Sequence, residues 1–285
     1  MGSTPSFSFE LFPPRTPAGV EKLPSVIREL ATVRPDYFSI TYGACGSDQD
    51  GTYETLMAVV QHAGVEAAPH LTCIGSTRSH LAALLDRYRE AGVKRIVALR
   101  GDLPATAMSS SAPGEFHYAN ELVGFIRETY GDAFKIEVAA YPEMHPQACD
   151  PGADFENFRR KVEAGADAAL TQLFYNADAY FDFMDRCGKA GIDIPVVPGI
   201  MPITSFANTV RFCDNCGADL PRWVRLRLEQ LQDDKAGLLE FGACVVTRLC
   251  ETLLRNGAPG LHFYTINQAE PTLRLWNNLA LPVLD

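Results

Sequence analysis

Arg100-Gly101-Asp102 follows the apolar run Ile96-Val97-Ala98-Leu99 and precedes Leu103-Pro104. This order sets a guanidinium, a glycine that lets backbone approach a ligand, and a carboxylate at the tip of a buried strand. The arrangement recurs at Ser8-Phe9-Glu10, Ser39-Ile40-Thr41-Tyr42, Ala68-Pro69-His70, Ala139-Ala140-Tyr141 and Leu170-Thr171-Gln172. Carboxyl groups move protons and steady cations, and a primary amide both donates and accepts.

Positioning these tips requires a regular framework. Short apolar runs predict strands at 7–12, 37–42, 67–71, 95–99, 136–140, 168–172, 194–197 and 261–264. They are rich in β-branched and aromatic residues, as strands buried on both faces should be. Between them, Thr77 can cap a helix over 79–91, Asp154 one over 155–164 and Asp178 one over 179–190. The last crossover is long and predicts helices at 205–216, 220–231 and 235–256. Alternation of this kind gives an α/β fold with a parallel sheet, and about eight units close into a (β/α)8 TIM barrel whose chemistry gathers at the strand ends. A doubly wound sheet is the alternative, but no G-x-G-x-x-G opens any of these helices. The small-residue stretch 106–114 reads as a loop beside the Arg-Gly-Asp tip.

The chain has 285 residues, 47% hydrophobic, enough for one barrel, and no composition shift marks a linker. We expect a single catalytic domain over 1–285. A net charge of −10 offers no broad basic field, which argues against nucleic acid as a partner. No apolar run reaches the ~20 residues of a membrane span, and a cytoplasmic enzyme is expected. The eight cysteines are dispersed, consistent with reduced thiols. Cys213-x-x-Cys216 lacks the second pair of ligands a zinc site wants and reads as a helix end, so no metal is expected. Composition leaves homo-oligomer formation open.

Several strings together resemble the methylenetetrahydrofolate reductases, flavin enzymes that make 5-methyltetrahydrofolate. They are Phe9-Glu10-Leu11-Phe12-Pro13-Pro14-Arg15, Thr41-Tyr42-Gly43-Ala44, 67–73, Arg100-Gly101-Asp102-Leu103-Pro104, Ala140-Tyr141-Pro142-Glu143 with His145-Pro146, and His262-Phe263-Tyr264-Thr265. The resemblance runs from Ser8 to about Glu270 and implies a barrel with FAD at its C-terminal mouth. The chain ends soon after the barrel, so the C-terminal regulatory domain of eukaryotic members is expected to be absent.

The resemblance implies that Glu10 donates a proton to the folate N10, with NADH as co-substrate. Burial beside Phe7, Phe9 and Phe12 suits that task; pairing with Arg15 is the competing reading. Asp102 can steady a folate cation electrostatically, or it can be a turn aspartate. Gln172 suits a pterin edge or a nicotinamide amide. Phe212 matches a family residue that packs on substrate, although its spacing from Phe206 and Val210 favours core. For FAD the matching positions are Thr41, Tyr42, Ala44, His70, Arg100, Gly101, Asp102, Ala119, Tyr141, His145, Asp154, Asn157, Arg160 and Lys161. Arg160 and Lys161 are adjacent cations suited to a diphosphate, or part of a solvated basic face. At two substrate positions the chain departs from the family: Gln268 stands where an arginine usually meets the folate's glutamate tail, and Asn208 where some bacterial members have glutamine. The competing functions are a proline-dehydrogenase-like FAD barrel and a folate-binding barrel without redox chemistry.

Overall fold

The computed structural model describes residues 5–42, 49–102 and 114–283. Parallel strands run in chain order as β1 (Ser6–Leu11), β2 (Tyr37–Ile40), β3 (Glu66–Thr72), β4 (Arg95–Leu99), β5 (Lys135–Ala140), β6 (Ala168–Thr171), β7 (Val196–Val197), β8 (Gly199–Ile200) and β9 (Gly260–Tyr264). The helices are α1 (Pro17–Ala31), α2 (Gln49–Ala63), α3 (Arg78–Glu90), α4 (Ala119–Tyr130), α5 (Pro151–Glu163), α6 (Ala177–Lys189), α7 (Phe206–Cys216), α8 (Arg222–Gln230), α9 (Lys235–Arg255) and α10 (Ala269–Asn278).

Neighbouring strands pair in sequence from β1 to β7, while β1 also pairs with β9 and β9 with β8. β7 and β8 are two halves of one stave broken at Pro198, which has no N–H for the ladder. The Pro198 carbonyl still accepts from His262 N at 2.9 Å. One half pairs with β6 and the other with β9, so the interrupted stave closes a (β/α)8 barrel. The doubly wound alternative is set aside.

Side-chain alternation divides each strand between two cores. In β1, Phe7 and Phe9 face outward and meet Trp276 of α10, at ring separations of 5.2 and 5.8 Å. Phe9 also meets Phe38 and Phe263. Ser8 and Glu10 face the barrel interior. There, Val97, Leu170 and Val197 form a small apolar cluster separate from the large strand–helix core. Polar side chains also fill the interior, among them the buried Ser8, Ser39, Glu137 and His262. Arg95 Nη1 lies 2.6 Å from Glu137 Oε1 and its guanidinium sits over the Tyr37 ring. Tyr37 donates to the other Glu137 oxygen at 2.8 Å.

The expected helices form with some boundaries moved. Thr77 caps α3 as expected, accepting from His80 N. Asp154 and Asp178 are not caps. Asp150 accepts from Ala153 N to cap α5, and Asn176 accepts from Asp178 N to cap α6. Asp154 instead accepts from His145 N at 2.9 Å, tying the β5–α5 loop to the helix. The expected 194–197 strand begins at Val196 and continues past Pro198. The Cys213–Cys216 pair ends α7, as its spacing suggested. Ala44 and most of the 106–114 stretch lie outside the described residues.

Candidate active site at the strand tips

Glu10, His70, Asp102, Tyr141, His145, Gln172 and Phe212 line one cavity of about 460 Å³ at the C-terminal ends of the strands. Glu10 and His70 turn inward by the two-residue period of β1 and β3. Asp102, Tyr141 and Gln172 follow the ends of β4, β5 and β6, His145 comes from the β5–α5 loop and Phe212 from α7. Val97, Leu99 and Leu170 supply an apolar wall, while Asp102, Tyr141, His145 and Gln172 supply a polar one.

Glu10 ends up in surroundings different from those its sequence neighbours suggested. Phe7 and Phe9 lie on the opposite face of β1, and Phe12 is exposed. The neighbours of Glu10 Oε2 are His70 Nε2 at 3.5 Å and His262 Nε2 at 3.6 Å, rather than Arg15. Burial, against the pull of Glu10, lowers His70 to about 4, so its imidazole is neutral at pH 7. His70 Nε2 is buried without a hydrogen-bond partner.

Tyr264, edge-on to His262, donates to the Thr171 carbonyl at 2.6 Å. Burial, then the Glu10 charge, raises its phenol well above the usual range. Thr171 Oγ1 accepts from Gly199 N at 2.8 Å. A Cβ on Gly199 would stand 2.2 Å from the Thr171 carbonyl and 2.7 Å from the Tyr264 ring. Glycine there allows β8 to approach β6 and β9 this closely.

The polar wall is electrically mixed. Arg100, Asp102, Asp154 and Lys161 all act on His145, which is lowered by burial and then by Arg100. Tyr141 stands edge-on to His145 at 4.7 Å and is raised to about 12, first by burial and then by Asp102. Gly101 holds φ +85°, the left-handed region that glycine tolerates, and a Cβ there would lie 2.9 Å from Thr72. Below the rim, Glu143 accepts from Asp219 N at 3.0 Å, and burial raises it to about 7.

The remaining expected positions divide. Thr41, Tyr42, Arg100, Gly101, Ala119, Asp154 and Lys161 are outside the lining. Lys161 is not a free cation: its Nζ donates to the Ala139 carbonyl at 2.5 Å, and burial lowers it to about 8. Arg160 is exposed and lies 3.6 Å from Glu156. The adjacent pair therefore splits, and only Lys161 turns toward β5. Asn157, Asn208 and Gln268 are exposed and outside the lining. Asn208 is in the first turn of α7, where its N–H donates to Ser205, and Gln268 sits at the start of α10. Phe212 packs against the core and also lines the cavity.

Sequence reasoning assigned no role to His262, Tyr264, Met201, Asn215 or Cys216, all of which lie in or beside the site. The first two carried a usable signal. They alternate with the buried Leu261 and Phe263, which puts them on the inward face of the last strand. Met201, Asn215 and Cys216 come from the long final crossover, whose path the local pattern does not give.

Fold and site together define a parallel (β/α)8 barrel with an ionisable pocket at its strand tips. The chain belongs to the methylenetetrahydrofolate reductase family, whose profile matches residues 2–280. The 5,10-methylenetetrahydrofolate reductase of Salmonella typhimurium is 40% identical over 274 residues, covering 96% of this chain and 90% of the relative. That of Escherichia coli is 39% identical over the same shares. Methylenetetrahydrofolate reductase (NADH) 1 of Arabidopsis thaliana is 35% identical, covering 97% of this chain and 48% of its own length. A Clostridium thermocellum protein that binds two copies of 5-methyl-5,6,7,8-tetrahydrofolic acid has the same fold, with a TM-score of 0.65 at 13% identity over 98% of this chain and 95% of its own. Among the described residues, no helix is long and apolar enough to cross a membrane.

Proposed function

We propose that this enzyme reduces 5,10-methylenetetrahydrofolate to 5-methyltetrahydrofolate, using NADH as donor and FAD as hydride carrier. The supporting observation is that Glu10, Asp102 and Gln172, drawn from three separate strands, line one cavity. A carboxyl, a fixed anion and an amide are the groups that opening a one-carbon ring adduct calls for.

The residues fit a flavin. The apolar wall of Val97, Leu99 and Leu170 suits a planar ring, and Tyr141, His145 and Gln172 offer hydrogen bonds to its edges. Of the two cations expected near a diphosphate, Lys161 is bonded to the Ala139 carbonyl and Arg160 is exposed beside Glu156, while Arg100, another expected FAD position, bonds Gln147 of the lining. FAD, when bound, supplies the hydride chemistry that no side chain can.

Glu10 gives its proton to the folate N10 as the five-membered ring opens, acting as general acid. The Asp102 carboxylate steadies the cation left on the one-carbon unit. Gln172 fixes the edge of whichever substrate is present; its carbonyl oxygen accepts from Leu173 N at 2.8 Å, leaving the amide N–H₂ to face the cavity. One amide serving both substrates implies that the nicotinamide leaves before folate enters, giving ping-pong kinetics.

The test is to record the visible spectrum of the purified protein and then add NADH and methylenetetrahydrofolate anaerobically in turn. Bleaching by the first and recovery of colour by the second support the proposal. A colourless protein, or bleaching by proline and not by NADH, refutes it. Replacing Glu10 with Gln should spare the NADH step and abolish the folate step.

A further inference from the structure

The final crossover reaches the cavity through α7, which supplies Phe212, Asn215 and Cys216 to its wall. Beside them the β5–α5 loop supplies His145, Pro146 and Gln147. That loop is pinned from within: His145 N donates to Asp154 at 2.9 Å, and Gln147 N donates to His145 Nδ1 at 3.0 Å. The α7 side is held more lightly. Ser205 caps its start. Beyond that cap, one hydrogen bond among the described residues joins α7 and its C-terminal turn to another part of the barrel. It runs from Asp219 N to Glu143 Oε2 at 3.0 Å. Close packing completes the junction. Gly217 ends α7 at φ +76°, and a Cβ there would lie 3.0 Å from the Met144 carbonyl oxygen and 3.2 Å from Pro146 Cγ. The left-handed glycine thus lets the turn lie against the loop that carries Glu143.

We propose that Glu143 is a positioning residue: its carboxyl clasps the C-terminal turn of α7 to the β5–α5 loop and so holds Phe212 in place against the substrate. This rests on the reading of the cavity as the folate pocket. Glu143 is outside the lining, so it acts through α7 and touches no substrate. The ionisable groups facing it are Asp219, Cys213 and Cys216, and none is a cation. Its work is therefore to accept a hydrogen bond rather than to hold an ion pair. Burial raises the carboxyl to about 7, so it passes between charged and neutral forms near neutrality, and both forms keep an accepting oxygen. An amide oxygen accepts as well, so glutamine can take its place and alanine cannot.

The experiment compares Glu143→Ala with Glu143→Gln by steady-state kinetics and by hydrogen–deuterium exchange of the 206–219 segment. Alanine should raise the KM for methylenetetrahydrofolate about tenfold, the scale of one lost hydrogen bond, with kcat and the rate of flavin reduction by saturating NADH unchanged. The 206–219 segment should exchange faster in the same variant. Glutamine should restore both parent values. Gly217→Ala disturbs the junction from the other side with Glu143 in place, and it should raise the KM likewise even if Glu143→Ala does not fold. An unchanged KM in Glu143→Ala overturns the proposal, as does a fall in kcat in place of a rise in KM, or a glutamine variant as impaired as alanine. Unchanged exchange over 206–219 would show that there is no clasp to lose. A parent that turns over no methylenetetrahydrofolate would instead remove the pocket assignment, and the exchange data would still decide whether the clasp exists.

Discussion

His70 makes the stability of this barrel depend on pH. The imidazole is 6% exposed and burial lowers it from 6.5 to about 4. Between those values the unfolded chain binds a proton that the folded chain refuses, so stability is lost as pH falls from 6.5 toward 4. Integrating the linkage from pH 7.5 to 4.5 gives a loss of about 2.5 kcal/mol from this residue. His70→Gln keeps a polar side chain of similar reach but does not titrate. Urea unfolding of parent and variant at both pH values isolates the term, because the other groups cancel in the difference. The parent should lose about 2.5 kcal/mol more than His70→Gln on acidification, the variant having no imidazole to charge. Equal losses would mean that His70 takes up its proton in the folded barrel and that burial does not hold it neutral.

Three other outcomes are expected. Arg95→Met strands the Glu137 carboxylate in the barrel interior and should cost about 3–5 kcal/mol by chemical denaturation; a loss under 1 kcal/mol would show that water reaches that layer. Asp102→Asn removes a negative charge from the cavity wall and should raise the midpoint potential of bound flavin while slowing folate reduction, so an unchanged potential rules out the electrostatic role. Iodoacetamide at pH 8 should label the exposed Cys149 and Cys244 well ahead of Cys213, whose thiol burial pushes up to about 12. Peptide mass spectrometry reads the order, and early labelling of Cys213 would contradict its burial.

The sequence carries the barrel because each stave is a local pattern of apolar residues ending in polar ones. β4 forms over the expected residues, and most other strands begin or end within a residue or two of expectation. Two helix starts were misplaced because Asp154 and Asp178 compete with equally good caps upstream at Asp150 and Asn176. Which of two neighbouring side chains caps a helix depends on where the preceding loop leaves the strand. The site was legible where chemistry sits at a strand tip, as at Glu10, Asp102 and Gln172. It was not legible where a residue's surroundings come from distant strands. Ser8 and His262 are 254 positions apart, and Tyr37 and Glu137 are 100 apart. Phe7 and Phe9 misled for the same reason, since alternation sends them to the face opposite Glu10, and Phe12 lies exposed past the end of β1. Arg160 and Lys161 show the helical version of this effect: adjacent residues point about 100° apart, so only one faces the strands.

The break at Pro198 leaves the barrel with a seam. Each half of the divided stave is held by two register pairs, against five between β1 and β9. Breathing of the cylinder should start there, with Val197 and Ile200 amides exchanging before those of β1. Gln172, Met201 and Tyr264 flank the same seam, so the weakest closure of the wall lies where a ligand must enter and leave.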